Sequence, residues 1–141
     1  MRHVALILIA LAAGTGNSWA QSPEFDSLVA VSRNRELNDA PRLVALDSLA
    51  ARTLRILRAN PSAKTVPLPE NALRTESPDG RIAVVTLNAP LNDGSYAYRG
   101  IAGRPDGAKG MVWVPLTEGQ WPEAIVYRIT SARYRRKTYY V

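Results

Sequence analysis

Ser77-Pro78-Asp79-Gly80-Arg81-Ile82-Ala83-Val84-Val85-Thr86-Leu87-Asn88, continuing as Ala89-Pro90-Leu91-Asn92-Asp93-Gly94-Ser95-Tyr96-Ala97-Tyr98-Arg99-Gly100, is the stretch that decides the fold. Asp79-Gly80 and Asp93-Gly94 bracket a run rich in Val, Ile and Leu, and Asp106-Gly107 recurs 13 residues further on. Asp-Gly supplies positive φ at little cost, which a tight turn between antiparallel strands requires. The rhythm predicts strands at about 81–88, 95–102, 109–116, 123–130 and 137–141, an antiparallel meander of about five strands. Ile82 and Val84 alternate with Ala83, Val85 and Leu87, so the first of these strands reads as covered on both faces. Arg99 and Arg128 each interrupt one face of their strands.

Upstream the periodicity is helical. Ser22 can cap a helix with Pro23 at its first position and Glu24 and Asp26 in the first turn. Phe25, Leu28, Val29 and Ser32 then share a face. Asn38-Asp39-Ala40-Pro41 breaks this helix and starts a second, with Asp39 or Ala40 near its cap. In the second, Leu43, Leu46, Leu49, Ala50, Leu54 and Leu57 recur at steps of three and four, and Arg52, Arg55 and Arg58 line another face. Asn60-Pro61 stops it. Pro61, Pro67 and Pro69 mark residues 61–76 as a connector with little regular structure. The fold class that follows is α+β, with an N-terminal helical hairpin packed on the meander. Residues 21–60 form the helical segment and 77–141 the sheet, all within a single domain covering 21–141.

The run from Ser77 to Ile82 and from Asn88 to Gly100 resembles a segment of a family of secreted Bacteroidota proteins to which no function is attached. In that family an Asp-Gly-Lys/Arg turn leads a strand, and Pro-Leu-x-Asp-Gly-Thr/Ser-Tyr opens the next. Ala124-Ile125-Val126-Tyr127-Arg128-Ile129 and Arg136-Lys137-Thr138-Tyr139-Tyr140-Val141 are similar to its following strands, so the resemblance covers about residues 70–141. Thr86-Leu87 stand where the family has an aromatic residue. Its members continue beyond the point matching Val141, which implies a C-terminally truncated or short form here. The resemblance implies no reaction, ligand or catalytic residue.

Residues 1–20 read as a Sec-type signal peptide: Arg2 and His3, the apolar run Val4 to Ala13, then Ser18-Trp19-Ala20 as a small-x-small site before Gln21. Cleavage near Ala20/Gln21 places the mature chain in the periplasm or outside the cell. The apolar run is too short to span a bilayer, which takes roughly 20 apolar residues, and no later segment approaches that length. His3 is the chain's single histidine and there is no cysteine. Without the signal, a Ser-His-Asp triad, a thiolate nucleophile and a His- or Cys-ligated metal site are all excluded. Carboxylate, Lys, Tyr or Ser-Lys chemistry and oxygen-only cation sites survive, and no metal or other cofactor is expected.

The chain holds 18 Lys and Arg against 12 Asp and Glu, and loss of Arg2 leaves an excess of five. That excess serves solubility and also favours anionic partners through long-range attraction. Its densest point is Arg133, Arg135, Arg136 and Lys137, interleaved with Tyr127, Tyr134, Tyr139 and Tyr140. Cations beside aromatic rings can hold phosphate, sulfate or carboxylate and stack on sugar rings. The same pattern fits a charged turn whose gatekeepers keep sticky strands apart. Arg133, Arg135, Arg136, Lys137 and Tyr134 are therefore the candidate anion-binding residues, with an anionic polysaccharide or another envelope component as partner. The exported address disfavours nucleic acid. Arg52, Arg55, Arg58 and Lys64 form a second basic strip that reads as a solvated helix face. Asp79, Asp93 and Asp106 belong to turns, where such carboxylates bond their own backbone.

The leading expectation is an exported, non-enzymatic binding or structural module of the cell envelope. The alternative is a carboxylate-dependent glycan-active hydrolase using Glu118 and Glu123, which flank Trp121. A third possibility is self-association through the strand-like C-terminal edge, Lys137 to Val141.

Overall fold

Two antiparallel helices lie on one face of a four-stranded antiparallel sheet in the computed structural model, which describes residues 23–107, 110–116 and 128–140. Helices α1 (Pro23–Arg33) and α2 (Asp39–Ala59) precede strands β1 (Ala72–Glu76), β2 (Ala83–Pro90), β3 (Tyr96–Pro105) and β4 (Met111–Pro115). The sheet order is β1-β2-β3-β4, every neighbour antiparallel. A separate two-stranded ribbon, β5 (Ser131–Tyr134) with β6 (Lys137–Tyr140), follows. This is the expected α+β class with the helices N-terminal to the strands. Among the described residues no helix is long and apolar enough to cross a membrane.

The helical stripes anticipated from spacing face the sheet except at Leu43, which is half-buried and stands outside the core cluster. Phe25 and Val29 of α1 and Leu46, Leu49 and Leu57 of α2 are buried, with Leu28, Ala50 and Leu54 packed around them. They meet Ala83, Val85, Leu87 and Ala89, the inward positions of β2, together with Ile101 and Trp113. Truncating any one of the three fully enclosed leucines to Ala would cost about 2–5 kcal/mol. Two hydroxyls inside this seam bond back to their own helices: Ser32 Oγ donates to the Val29 carbonyl at 2.8 Å and Thr53 Oγ1 to that of Leu49 at 2.7 Å. The α2 C-terminus closes as expected at Asn60, whose side-chain amide donates to the Ile56 carbonyl at 2.8 Å.

The Asp-Gly turns join the strands as their chemistry demands. Asp79 Oδ1 accepts from the Arg81 amide at 3.1 Å and from Ser77 Oγ at 2.7 Å, while Gly80 takes φ 71°. Asp93 Oδ1 does the same with the Ser95 amide at 2.9 Å, beside Gly94 at φ 89°. The three hairpins of the sheet are therefore sequential.

Two expectations need correction, and a third falls mostly outside the described residues. Residues 61–76 are not all connector, because Ala72–Glu76 pairs with β2 as an edge strand, Arg74 opposite Val85. Its inward positions are Ala72, Arg74 and Glu76, so the alternation is polar on the core face and does not read as a strand. Among the described residues the main sheet holds four strands, and Lys137–Tyr140, anticipated as part of the meander, pairs instead with Ser131–Tyr134 in the separate ribbon. Most of the strand anticipated at 123–130 lies outside the described residues, and 128–130 carry no regular structure.

The indole of Trp113 rests on the sheet beside its cross-strand partner Gly103, where a Cβ would meet the ring at 2.7 Å. Gly103 pairs in turn with Ala83, so two small residues lie in one row across the middle of the sheet. The Arg74 guanidinium, from the opposite edge strand, stands 5.2 Å from the centre of the same ring. From the helix layer, Arg58 Nε donates to the Trp113 carbonyl at 3.0 Å. Arg58, anticipated as a purely solvated residue, thus ties α2 to β4.

Candidate functional site: a basic hairpin and a tyrosine-lined cleft

The four C-terminal cations are brought together at the end of a ribbon. Arg133 pairs with Thr138 and Tyr134 with Lys137, leaving Arg135-Arg136 as a two-residue loop. Both loop residues take positive φ, 50° and 67°, the I′ pattern that usually calls for Asn-Gly. Bulky side chains in this region cost roughly 1–2 kcal/mol each. The turn nevertheless presents two guanidinium groups at its tip.

Cross-strand pairing sorts the ribbon into two surfaces. Tyr134, Lys137, Ala132 and Tyr139 share one, and Arg133, Thr138, Ser131 and Tyr140 share the other. Tyr134 and Tyr139 are half or more exposed, and the Arg135 guanidinium sits 5.2 Å from the Tyr134 ring centre. Neither Arg133, Arg135, Arg136 nor Lys137 has a carboxylate partner among the described residues. The cations are thus divided between the two surfaces: Lys137 and Arg135 accompany the Tyr134–Tyr139 face, and Arg133 lies on the reverse.

One contact ties the ribbon to the main sheet. Tyr140 Oη donates to Asp79 Oδ2 at 2.7 Å, so the Asp79 carboxylate serves its own turn with one oxygen and the ribbon with the other. The Ser77 hydroxyl first, then the Tyr140 hydroxyl and the Arg81 amide, hold the Asp79 carboxyl below its ordinary pKa. The same hydrogen bond pushes the Tyr140 phenol up.

A second concave site was not legible in the sequence. At the opposite end of β2, the last residue of α1 and the turn after it form one wall of an open cleft of about 620 Å³. Asn88 and Pro90 of β2 lie across from Tyr98 and Tyr96 of β3 on that face, with Arg33, Arg35, Glu70 and Asn71 completing the walls. The two tyrosine rings are 6.4 Å apart and tilted by 34°. Arg35 donates to Tyr96 Oη at 3.3 Å, and its guanidinium lies 6.0 Å from that ring's centre. Arg33 pairs with Glu70 at 3.2 Å, a largely exposed contact worth little. Asn71 is buried, with its amide donating to the Asn88 carbonyl at 2.8 Å and to Ser32 Oγ at 3.3 Å, and its Oδ1 has no hydrogen-bond partner among the described residues.

The other candidates lie elsewhere. Glu118, Glu123, Trp121 and Tyr127, like the Ala20/Gln21 junction, lie outside the described residues. Arg52 is half-buried and Arg55 and Lys64 are exposed. Among the described residues no three His, Asp or Glu side chains are grouped so that they could hold a metal ion. No protein-family model, curated protein or solved structure matches the chain.

Proposed function

We propose that this chain is an exported, non-catalytic binding module of the cell envelope whose ligand is polyanionic, with the Arg133–Lys137 hairpin as its contact. The carrying observation is the turn itself. Two arginines occupy left-handed positions where Asn or Gly would be cheaper, and strain retained in this way is found where a side chain is needed for contact. The cations around them are exposed and unneutralised among the described residues, and two tyrosine rings beside them offer flat apolar surface to sugar rings. An acidic polysaccharide satisfies both features, placing carboxylates or sulfates on Arg135, Arg136 and Lys137 and ring faces on Tyr134 and Tyr139.

Titration calorimetry with polygalacturonate tests this on the mature chain. Affinity should fall steeply between 50 and 300 mM salt, because exposed charge contacts are screened over a Debye length of about 10 Å at 0.1 M. It should also fall stepwise on Arg135→Ala, Arg136→Ala and Lys137→Ala. Binding that is absent, or indifferent to salt and to all three substitutions, overturns the reading. Turnover of the glycan that disappears in Glu118→Ala or Glu123→Ala with the fold intact would instead establish the hydrolase alternative.

A further inference from the structure

The geometry points to a second ligand site, the cleft of Tyr96, Tyr98, Arg35 and Asn71, taking a single pyranose ring that carries a carboxylate. It stands independently of the hairpin. The cavity's 620 Å³ falls within the range of about 300–1,000 Å³ that holds small ligands. Its floor comes from the regular part of the sheet: Tyr96 and Tyr98 are two residues apart on one strand and so share a face, held in register by Pro90 and Asn88. A site based on paired strands keeps its shape before the ligand arrives.

Each wall asks for a different part of the same molecule. The tilted tyrosine pair offers apolar ring faces to the C–H side of a sugar. Asn71 is buried with an acceptor oxygen unpaired, a group that gains from a nearby hydroxyl donor and otherwise carries a desolvation cost of about 1–3 kcal/mol. Arg35 has no carboxylate partner among the described residues, and only one of its nitrogens is engaged, on Tyr96 Oη. Its free edge is suited to a bidentate carboxylate. Arg33 and Glu70 together add no net charge, so among the described residues the cleft carries a net charge of one, from Arg35, and matches one negative charge on the ligand. A neutral sugar would leave Arg35 unused, and a free carboxylic acid without a ring would leave the tyrosines bare.

The test uses digalacturonate and its neutral counterpart, a galactose disaccharide, titrated into the isotopically labelled mature chain. Digalacturonate should shift the backbone amides of Asn71, Asn88, Tyr96 and Tyr98, and the neutral disaccharide should bind on the order of tenfold more weakly. Arg35→Gln and Tyr96→Ala alter exposed side chains and should each weaken digalacturonate by on the order of tenfold with the far-ultraviolet spectrum unchanged. A variant with Arg133, Arg135 and Arg136 all changed to Ala should keep these shifts at full amplitude, which separates this site from the hairpin. Shifts confined to residues 131–140, equal binding of both disaccharides, or undiminished affinity in both cleft variants would overturn the proposal.

Discussion

The Arg42 guanidinium, fully buried at the head of α2, donates to the Pro90 carbonyl at 2.9 Å and so joins the helix layer to the end of β2. The same group reaches Asp39 at 2.9 Å and also bonds Asn92 Oδ1, and Asp39 in turn accepts from the Asn92 amide at 2.8 Å. One buried cation thereby satisfies a strand's last carbonyl, a helix's first-turn carboxylate and a turn side chain.

Arg42→Ala should therefore destabilise the fold by about 2–3 kcal/mol, chiefly by removing the charged donor from the Pro90 carbonyl, since Asp39 is partly exposed and its pairing adds little. Arg42→Lys should recover less than half of this, since one ammonium cannot match the spread of a guanidinium. Chemical denaturation of the mature chain measures both.

Replacing Arg135-Arg136 with Asn-Gly should move stability and binding in opposite directions. The ribbon gains roughly 1 kcal/mol or more from relief of the two left-handed arginines, visible as slower amide exchange in 131–140. Polygalacturonate affinity falls because the tip loses two charges. A joint rise or a joint fall would contradict the account of strain retained for contact.

The Asp79–Tyr140 bond sets a pH window for ribbon docking. Asp79 has a lowered folded-state pKa, so its contribution is present above the unfolded value of about 3.9 and is lost as pH falls through the folded value. Tyr140 has a raised one, so its contribution is present below about 10 and is lost as pH rises through the folded value. Asp79 is exposed and Tyr140 half-buried, so the effect is local. Limited proteolysis should cut the ribbon faster at either extreme than at pH 7, and Tyr140→Phe should abolish the alkaline limb.

Thr86 on β2 is fully buried and its hydroxyl has no hydrogen-bond partner among the described residues. Thr86→Val keeps the shape and removes the stranded polar atom, so it should stabilise by about 1 kcal/mol. A rise of about 4 °C in Tm is the matching thermal signature for a domain of this size.

The helices and three of the four main strands could be read from residues because their local chemistry agrees with their tertiary role. Leu46, Leu49 and Leu57 repeat at helical spacing and are the residues that reach the sheet, and each Asp-Gly pair marks a turn. Strand β1 was hidden because Arg74 occupies a core-facing position, stacked near Trp113 in a way that no local pattern announces. The β5–β6 turn was hidden because arginines stand where a tight loop normally shows Gly or Asn. The basic hairpin was visible as composition, since its cations are contiguous. The cleft was not, because Arg35, Asn71 and Tyr96 come from three separate parts of the chain and meet only in the folded structure. The nearest available signal was Tyr96-x-Tyr98, which spacing alone places on one face of a strand.

The contact between Gly103 and Trp113 sets a rule for how sequences of this fold can drift. With the indole at 2.7 Å from the position of any added Cβ, neither partner can change size alone, and Arg74 would lose its ring if Trp113 shrank. In homologous chains these three positions should vary as a set: a larger residue at 103 should be accompanied by loss of the tryptophan at 113 and of the cation at 74. Such three-way covariation would trace this sheet through sequences too divergent for their identity to reveal it.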